Sequence, residues 1–330
     1  MTSVERSSVI IVTYNHRKYI QQCLESVIDN KPYEVVLVDN GSDDTAEYVR
    51  KNFPSVMVIK PEKNLGYAAG NNMGVTYATG EYVIILNPDT IVEKNWLNEL
   101  VDPLRKNERL ITTPKILIYD GSKINTCGNI NHFTGLTFTR GLGEQPDRYE
   151  KQVYISGLSG CCFAMRKKDF GELGGFDETF FIYNEDSDLS WRAHLKGFKI
   201  MYVSSSIVKH DYTLKVPPEK IYFLERNRYV MLKKYISRKD SLLLLPSLLL
   251  VEVLTFGYAI KCGRKGIVFK IKAIRDGRKT KVIKVNGDKQ NLFKSLSSTI
   301  PVEQLTLNKA EKAFEVLANV IFKWNFKVVS

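Results

Sequence analysis

The sequence predicts an α/β fold, a mainly parallel sheet covered by helices on both faces. Between Val9 and Asn87, short apolar runs rich in Val and Ile alternate with stretches of helical periodicity. A single helix separates each run from the next, which is the pattern of βαβ units. The residues just past the runs are polar, as they are along the ligand-binding rim of such sheets.

Each element has its own signal. Val9-Ile-Ile-Val-Thr13 reads as the first strand and Lys18 to Ile28 as the first helix. Glu34-Val-Val-Leu-Val-Asp39 is a second strand, followed by a helix from Thr45 to Lys51 that Ser42 or Asp43 would cap. Val56 to Ile59 is a third strand, Tyr67 to Ala78 a helix, and Tyr82 to Leu86 a fourth strand. These runs are apolar throughout because a parallel strand is buried on both faces. From about residue 111 to 170 the chain turns rich in Gly, Thr and Asn with short β-like pieces, which suits a partly antiparallel extension. A helix follows from Asp186 to Lys196, ended by Gly197, then strands at Ile200 to Val203 and Ile207 to Lys209, and a helical region from Pro217 to Tyr235. No internal repeat is visible.

With 330 residues, 44% hydrophobic and 25% charged, the chain can bury one large core and an appendage. Composition divides it into a domain over 1–235 and a basic, partly apolar helical region over 236–330. The net charge of +12 is confined to the C-terminal part: residues 1–208 hold 23 Lys+Arg against 26 Asp+Glu, while residues 209–330 hold 25 against 10. Such asymmetry points to an anionic surface as partner. The basic stretch shows no helix-turn-helix, zinc-finger or aromatic RNP-like pattern, so the expected surface is a membrane and not nucleic acid.

Residues 241–260 form the lipid-like run, flanked by Arg238, Lys239, Lys261, Arg264 and Lys265. Glu252 and Pro246 interrupt it, whereas a span needs about 20 mostly apolar residues. An interfacial helix is therefore expected, with a buried helical pair or a true span as the other readings. The polar N-terminus, Met1 to Ser8, lacks the apolar segment of a secretory signal. The five cysteines are odd in number and lack C-x-x-C spacing, so they read as reduced thiols. The expected location is cytoplasmic, peripheral on the inner face of the cell membrane.

Several polar groups carry candidate chemistry. Asp89, in Leu86-Asn-Pro-Asp-Thr90, follows an apolar strand and could hold Mg²⁺ or Mn²⁺, although Asn-Pro-Asp is equally a turn signal. Glu185, Asp186 and Asp188 stand beside aromatic residues at a helix start. They complement the helix dipole, and repulsion with partial burial would raise one of them toward the pKa of a useful base. His210 ends a short strand and could complete a metal site or be structural. Asp39, in Val38-Asp-Asn-Gly-Ser42, could accept hydrogen bonds from a base or ribose, or simply serve a turn. Asn64 to Gly74 matches no Walker or Rossmann loop, and its glycines could serve close packing alone.

The order of these pieces resembles the family 2 glycosyltransferases of GT-A fold, especially their rhamnosyltransferase-like branch. The matching segments are Ile11-Val-Thr-Tyr-Asn15, Val38-Asp-Asn-Gly-Ser42, Asn64-Leu-Gly-Tyr-Ala-Ala-Gly-Asn71, Leu86-Asn-Pro-Asp89, Gly174-Gly-Phe-Asp177, Tyr183-Asn-Glu-Asp-Ser-Asp-Leu189 with Arg192 and Gly197, and His210. They span about residues 7–235. The resemblance implies a GT-A fold, a Rossmann-like mixed sheet flanked by helices, with a helical, basic C-terminal extension.

The same resemblance implies roles. Thr13, Asn15, Asp39 and Asn40 would contact the nucleoside, and Asn64, Gly66 and Asn71 would line the nucleotide-sugar pocket. Asp89 takes the last position of the family's D-x-D motif and would ligate the divalent cation, with His210 as a further ligand. Asn87 stands where that motif has its first aspartate, so fewer carboxylates hold the metal. Asp186 would be the general base of an inverting transfer, and Glu185, Asp188, Trp191 and Arg192 would shape the acceptor side. The expected activity moves a sugar from a UDP- or dTDP-sugar to a hydroxyl of a lipid-linked or glycan acceptor. A polyprenyl-phosphate glycosyl synthase, a non-catalytic nucleotide-sugar-binding protein and a membrane-associated structural protein are the alternatives.

Overall fold

The structure, a computed structural model, describes residues 6–212, 217–301 and 309–328. The first element is strand β1 (Ser7–Thr13), followed by α1 (Arg17–Asp29), β2 (Glu34–Asp39), α2 (Thr45–Asn52), β3 (Val56–Ile59), α3 (Gly66–Tyr77) and β4 (Tyr82–Leu86). Then come β5 (Thr90–Val92), α4 (Trp96–Lys106), β6 (Leu110–Ile118), β7 (Ile124–Thr126), β8 (Asn129–Asn131), β9 (Thr137–Thr139), β10 (Val153–Tyr154) and β11 (Cys162–Arg166). The chain continues through α5 (Lys167–Leu173), a 3₁₀ turn (Glu178–Phe180), α6 (Glu185–Leu195) and β12 (Lys199–His210). The remaining helices are α7 (Pro218–Tyr235), α8 (Arg238–Leu243), α9 (Leu245–Lys261), α10 (Gly263–Lys279), α11 (Lys289–Ser295) and α12 (Lys309–Phe326).

The main sheet runs β10-β12-β6-β11-β4-β1-β2-β3, with β5 on β12 and β7 on β6. Strands β3, β2, β1 and β4 are mutually parallel, as expected of βαβ units. Strand β11 enters antiparallel between β4 and β6, and so makes the sheet mixed. The chain winds from β1 through β2 to β3 on one side and then crosses to β4 on the other. The carboxyl ends of β1, β2 and β4 therefore flank a topological switch point, where such sheets bind ligands.

Strand residues alternate between two cores. Val9, Ile11, Leu37 and Ile84 pack with Ile20, Leu24, Trp96 and Leu100 on one face. Ile10, Val36, Val83 and Ile85 pack with Ala68, Phe170 and Leu189 on the other. Helix α3 lies close to β1 because Gly70 and Gly74 carry no side chain: a Cβ would come within 2.8 Å of Val12 and 2.4 Å of Ile10.

Three expectations change in detail. The cap of α2 is Asp44, with no side-chain capping bond, and Asp43 instead accepts from the Thr45 amide at 3.2 Å. The two expected strands around Ser204 are one strand, β12, whose register against β6 shifts between Val203 and Ile207. Residues 241–260 are split between α8 and α9, with Pro246 in the first turn of α9. Among the described residues no helix is long and apolar enough to cross a membrane.

The chain forms two compact units: Met1–Asn129, Thr139–Ala193 and Gly197–Tyr212 make the first, and Ile130–Phe138, His194–Lys196 and Thr213–Ser330 the second. Helix α7 falls in the second. There α7, α9 and α10 share a buried ionic cluster in which Glu225 and Glu252 meet Arg228 and Lys270. The cysteines described are all free thiols.

Candidate active site

The ends of β1 and β2 build the first wall of the site. Thr13 Oγ1 donates to Asp39 Oδ1 at 2.7 Å, and the Gly41 amide donates to the same oxygen at 3.0 Å. Lys60 Nζ, just past β3, donates to Asp39 Oδ2 at 2.6 Å and to the Gly41 carbonyl at 2.7 Å. Asn15 sits in left-handed backbone (φ 57°), and its Oδ1 accepts from the Ser42 and Asp43 amides at 2.8 and 3.2 Å. The loops thereby lie so close that a Cβ on Gly41 would fall 2.5 Å from the Asn15 nitrogen.

The start of α3 is tied to the same wall. Asn40 Nδ2 donates to the Gly66 carbonyl at 3.0 Å, its Oδ1 accepts from the Leu65 amide at 3.2 Å, and Asn64 Oδ1 accepts from the Gly66 amide at 2.8 Å. Thr13, Asn15, Asp39, Asn40, Asn64 and Gly66 thus form one hydrogen-bonded set. Asn71 does not line an open pocket as expected: it is fully buried, and its Nδ2 donates back to the Tyr67 carbonyl at 2.9 Å. A polar side chain one helical turn in from the start of α3 is screened by that turn.

The second wall follows β4. The Asn87 amide donates to the Cys161 carbonyl at 2.9 Å, and pairing of β5 with β12 brings Thr90 opposite His210. His210 Nε2 consequently lies 3.3 Å from Asp89 Oδ1, and its Nδ1 is 3.0 Å from Asn125 Oδ1. With a proton on Nδ1 directed at Asn125 Oδ1, Nε2 faces Asp89, to which it donates when the ring is protonated and beside which it offers a lone pair to a cation once that proton leaves. Burial works against ionising both groups. Nevertheless the His210 bond holds Asp89 below the ordinary carboxylate range, and the Cys161 thiol with Asp89 holds His210 well above an ordinary histidine.

These residues fit a hard divalent cation. The Asn87 Oδ1 atom is buried without a hydrogen-bond partner and Asp89 Oδ1 is met by His210 Nε2 at 3.3 Å, so an amide oxygen, a carboxylate oxygen and an imidazole nitrogen lie together. Among the described residues no three His, Cys, Asp or Glu side chains cluster into a metal cage. A cation here would depend on phosphate oxygens and water for its remaining ligands.

The third wall is the approach to α6. Phe181, Tyr183 and Asn184 all have φ between 62° and 66°, a run of left-handed, side-chain-bearing residues that only a firmly held loop tolerates. The Phe181 carbonyl accepts from the Tyr67 and Ala68 amides at 2.7 and 3.2 Å, which fastens this loop to α3. Asp186 Oδ2 then accepts from the Gly160 amide and from Asn129 Nδ2, each at 3.0 Å, and Oδ1 from the Ser187 amide at 2.8 Å. Tyr67 donates its hydroxyl proton to the Gly160 carbonyl. Burial lifts Asp186 above its ordinary pKa despite those bonds, and burial with repulsion from Asp186 and Asp188 lifts Glu185 well above its own.

Of the four residues expected to shape the acceptor side, three face the interior of the unit. Asp188 and Trp191 are fully buried, and Arg192 is nearly so. Arg192 binds Asp188 Oδ2 through Nε at 2.9 Å and the carbonyls of Leu173 and Gly175 through Nη1 at 2.5 and 2.6 Å. This pair closes on the left-handed Gly174-Gly175 turn after α5, and that explains why the Gly-Gly and the Arg occur together in the sequence. Glu185 is buried beside Asp186.

Sequence reasoning missed Lys60, His16, Asn129, Gly160 and Cys161. Lys60 had a signal, a cation directly after a strand opposite the Asp39 strand end. His16 follows Asn15 immediately and sits in the field of Asp89, Asp43 and Asp39, although burial still lowers its pKa. Asn129 and Gly160 had none, since only the fold brings them to Asp186.

The second and third walls meet along one turn, where the Gly160 amide donates to the Asp186 side chain and the carbonyl of the next residue, Cys161, accepts from the Asn87 amide.

Comparison with known proteins gives concordant matches. The family model for glycosyl transferase family 2 matches residues 8–174, and one described as the N-terminal domain of galactosyltransferase matches residues 142–215. N-acetylglucosaminyl-diphospho-decaprenol L-rhamnosyltransferase of Mycobacterium tuberculosis is 28% identical over 229 residues, covering 61% of this chain and 75% of the relative. Among solved structures, GalNAc-T7 with UDP, GalNAc and Mn²⁺ is similar with a TM-score of 0.58 at 23% identity, over 72% of this chain and 51% of that one. S. aureus TarS 1-349 is similar with a TM-score of 0.55 at 19% identity, over 98% and 92%. The chain spans about half the length of the GalNAc-T7 chain, and at these identities the two structures speak for the fold.

Proposed function

The chain belongs to glycosyl transferase family 2 and is a glycosyltransferase, and from that premise we propose that it transfers a sugar, with inversion, from a UDP- or dTDP-sugar to a hydroxyl of a lipid-linked or glycan acceptor. The setting is surface polysaccharide or glycoconjugate synthesis at the inner face of the cell membrane. Residues 1–235 carry the chemistry and residues 236–330 the membrane contact. The lipid-linked acceptor is supported by the rhamnosyltransferase relative, whose name specifies a diphospho-decaprenol carrier.

The reading is supported by the ties of Asp186 and of the Asn87 backbone to adjacent residues of one turn, Gly160 and Cys161, with His210 beside Asp89. Thr13, Asp39 and Asn40, buried and held by Lys60 and the α3 loop, would form the floor on which a nucleoside rests, with exposed Asn15 at its edge. Asn87, Asp89 and His210 would hold a Mg²⁺ or Mn²⁺ ion, which when bound offsets the charge of the leaving diphosphate. A divalent cation is supported by the GalNAc-T7 structure, whose description includes UDP and Mn²⁺.

Asp186 performs the proton step. Its carboxylate retains acceptor capacity at Oδ1 beyond the Ser187 bond, and its raised pKa makes it a stronger base than an exposed aspartate. As the acceptor oxygen bonds to the anomeric carbon, its proton passes to Asp186 and the bond from that carbon to the diphosphate breaks. Attack from the face opposite the leaving group inverts the anomeric centre.

The test is a screen of UDP-, dTDP- and GDP-sugars with Mg²⁺ or Mn²⁺ for nucleotide release, followed by NMR of the product's anomeric configuration. An inverted product that the Asp186→Asn variant cannot form is expected. Undiminished product from that variant overturns the assignment.

A further inference from the structure

In the second unit, α9 carries its exposed apolar residues on one stripe. Leu245, Leu249, Val253 and Ile260 recur at spacings of four, four and seven, and Leu242 of α8 extends the row. The opposite side of α9 faces the interior through Ser247, Val251 and Ala259. Helix α12 repeats the arrangement: Leu317, Val320 and Trp324 are exposed on one side while Ala318, Phe322 and Asn325 are buried on the other. The two helices run antiparallel, tied by Ser247 Oγ to Asn325 Oδ1 at 2.6 Å at one end and by a Lys261 to Glu311 ion pair at the other.

Exposures of 58% for Leu249, 59% for Leu317 and 65% for Trp324 are far beyond what isolated surface leucines explain, because they fall in two ordered rows on adjoining helices. A span is not the explanation. Helix α9 has 17 residues, about 25 Å at 1.5 Å per residue, and Glu252 at its middle is engaged by Arg228 and Lys270.

Charge identifies the occupant. Residues 209–330 carry 25 Lys+Arg against 10 Asp+Glu. Four acids of these helices are compensated within the unit, Glu252 as above, Glu311 by Lys261, Asp276 by Arg275 and Asp240 by Lys289, while Glu315 of α12 is buried and its pKa is raised by burial and by Glu311. Arg264, Lys265 and Lys272 on α10 and Lys323 on α12 are exposed, and Val268 and Ile271 lie exposed among the α10 cations. Apolar rows bordered by lysine and arginine, with a tryptophan at one helix end, match the chemistry of an anionic bilayer surface: hydrocarbon at the boundary, phosphate above it.

We propose that the apolar rows of α8, α9 and α12 insert into the boundary of an anionic lipid bilayer, with the α10 and α12 cations on its phosphates. This deepens the lipid-acceptor reading and rests on it for its biological purpose, but the surface is testable without any sugar donor.

The experiment is co-sedimentation of the full chain with phosphatidylcholine vesicles, with and without phosphatidylglycerol and free of any acceptor, together with tryptophan fluorescence. Trp96 and Trp191 are buried, so Trp324 reports the surface. Pelleting with the anionic vesicles that weakens in high salt, and a blue shift lost in Trp324→Phe, are expected. Leu249→Glu with Leu317→Glu should weaken partition at least about tenfold, since each removes a leucine's worth of burial. Lys265→Glu with Lys272→Glu, both exposed, tests the charge half.

Wild-type chain left in the supernatant at low salt overturns the proposal. So does self-association, seen by light scattering, that the leucine variant dissolves while vesicles stay unbound, because the face then belongs to a second copy. UDP binding by calorimetry on the same samples separates the two readings: a chain that binds UDP but not vesicles sinks only the docking surface.

Discussion

The Gly160 amide donates to Asp186 Oδ2 at 3.0 Å, and Asn129 Nδ2 donates to the same oxygen at the same distance. Both bonds favour the ionised carboxylate, and burial opposes it with the larger effect, so the pKa ends above the ordinary value. In Asp186→Asn the amide oxygen can still accept both bonds, while the base is gone. Sugar transfer should fall roughly 10²- to 10⁴-fold with UDP binding unchanged, as read by kcat and by calorimetry.

The same geometry sets a pH dependence. A base is active only when deprotonated, so kcat should fall as pH drops through the Asp186 pKa, and the midpoint should lie above that of a free aspartate. Removing a donor to the charged form raises the pKa further. Asn129→Ala should therefore move the acid limb of the kcat profile to higher pH, a shift that a purely structural lesion would not produce.

Asp89 and His210 are expected to act through the cation. Asp89→Ala should remove the enhancement of UDP binding by Mn²⁺, and His210→Ala should weaken it by about 10- to 100-fold. Titration calorimetry with and without Mn²⁺ reads both. Equal metal dependence in wild type and Asp89→Ala would place the cation elsewhere.

How much of this was visible in the sequence follows from locality. Strands β2, β3 and β4 have the boundaries their apolar runs imply, since Glu34, Val56 and Tyr82 begin stretches with no polar interruption. Helix α4 was hidden by Pro103 in its interior and by Asn95 at its start, left-handed at φ 65° and making no capping bond. The Gly-, Thr- and Asn-rich stretch over about 111–170 points to a partly antiparallel extension, and β11 is antiparallel, but its insertion between β4 and β6 pairs residues far apart in the chain, which no local pattern encodes. Asp39, Asp89 and Asp186 were legible because carboxylates at strand and helix ends announce themselves. Asn129 and Gly160, ordinary loop residues, acquire meaning only from the side chain they meet.

Glu185 offers a test of the electrostatics through stability. Its folded pKa is raised well above the unfolded one by burial, then by Asp186 and Asp188. Relative to acid solution, the native chain loses stability as pH rises from the unfolded value through the folded one, by about 1.4 kcal/mol per pH unit for a single group. Glu185→Gln has no such proton to lose. The variant should match wild type near pH 4 and exceed it in chemical denaturation at pH 7, and a constant difference across that range would refute the assignment.

The ionic cluster of the second unit gives the sharpest stability prediction. Lys270 is fully buried, donates to Glu225 and, at 2.6 Å, to Thr255 Oγ1, and lies 3.0 Å from Glu252. Arg228 neutralises the same two carboxylates, so the cluster holds two charges of each sign. Lys270→Met leaves a buried carboxylate uncompensated and should cost about 3–5 kcal/mol. Adding Glu252→Gln restores the balance at one charge of each sign and should recover part of that loss, so the double variant is expected to be more stable than the single one. Additive losses in urea denaturation would instead show that the four groups act as separate contacts and not as one balanced cluster.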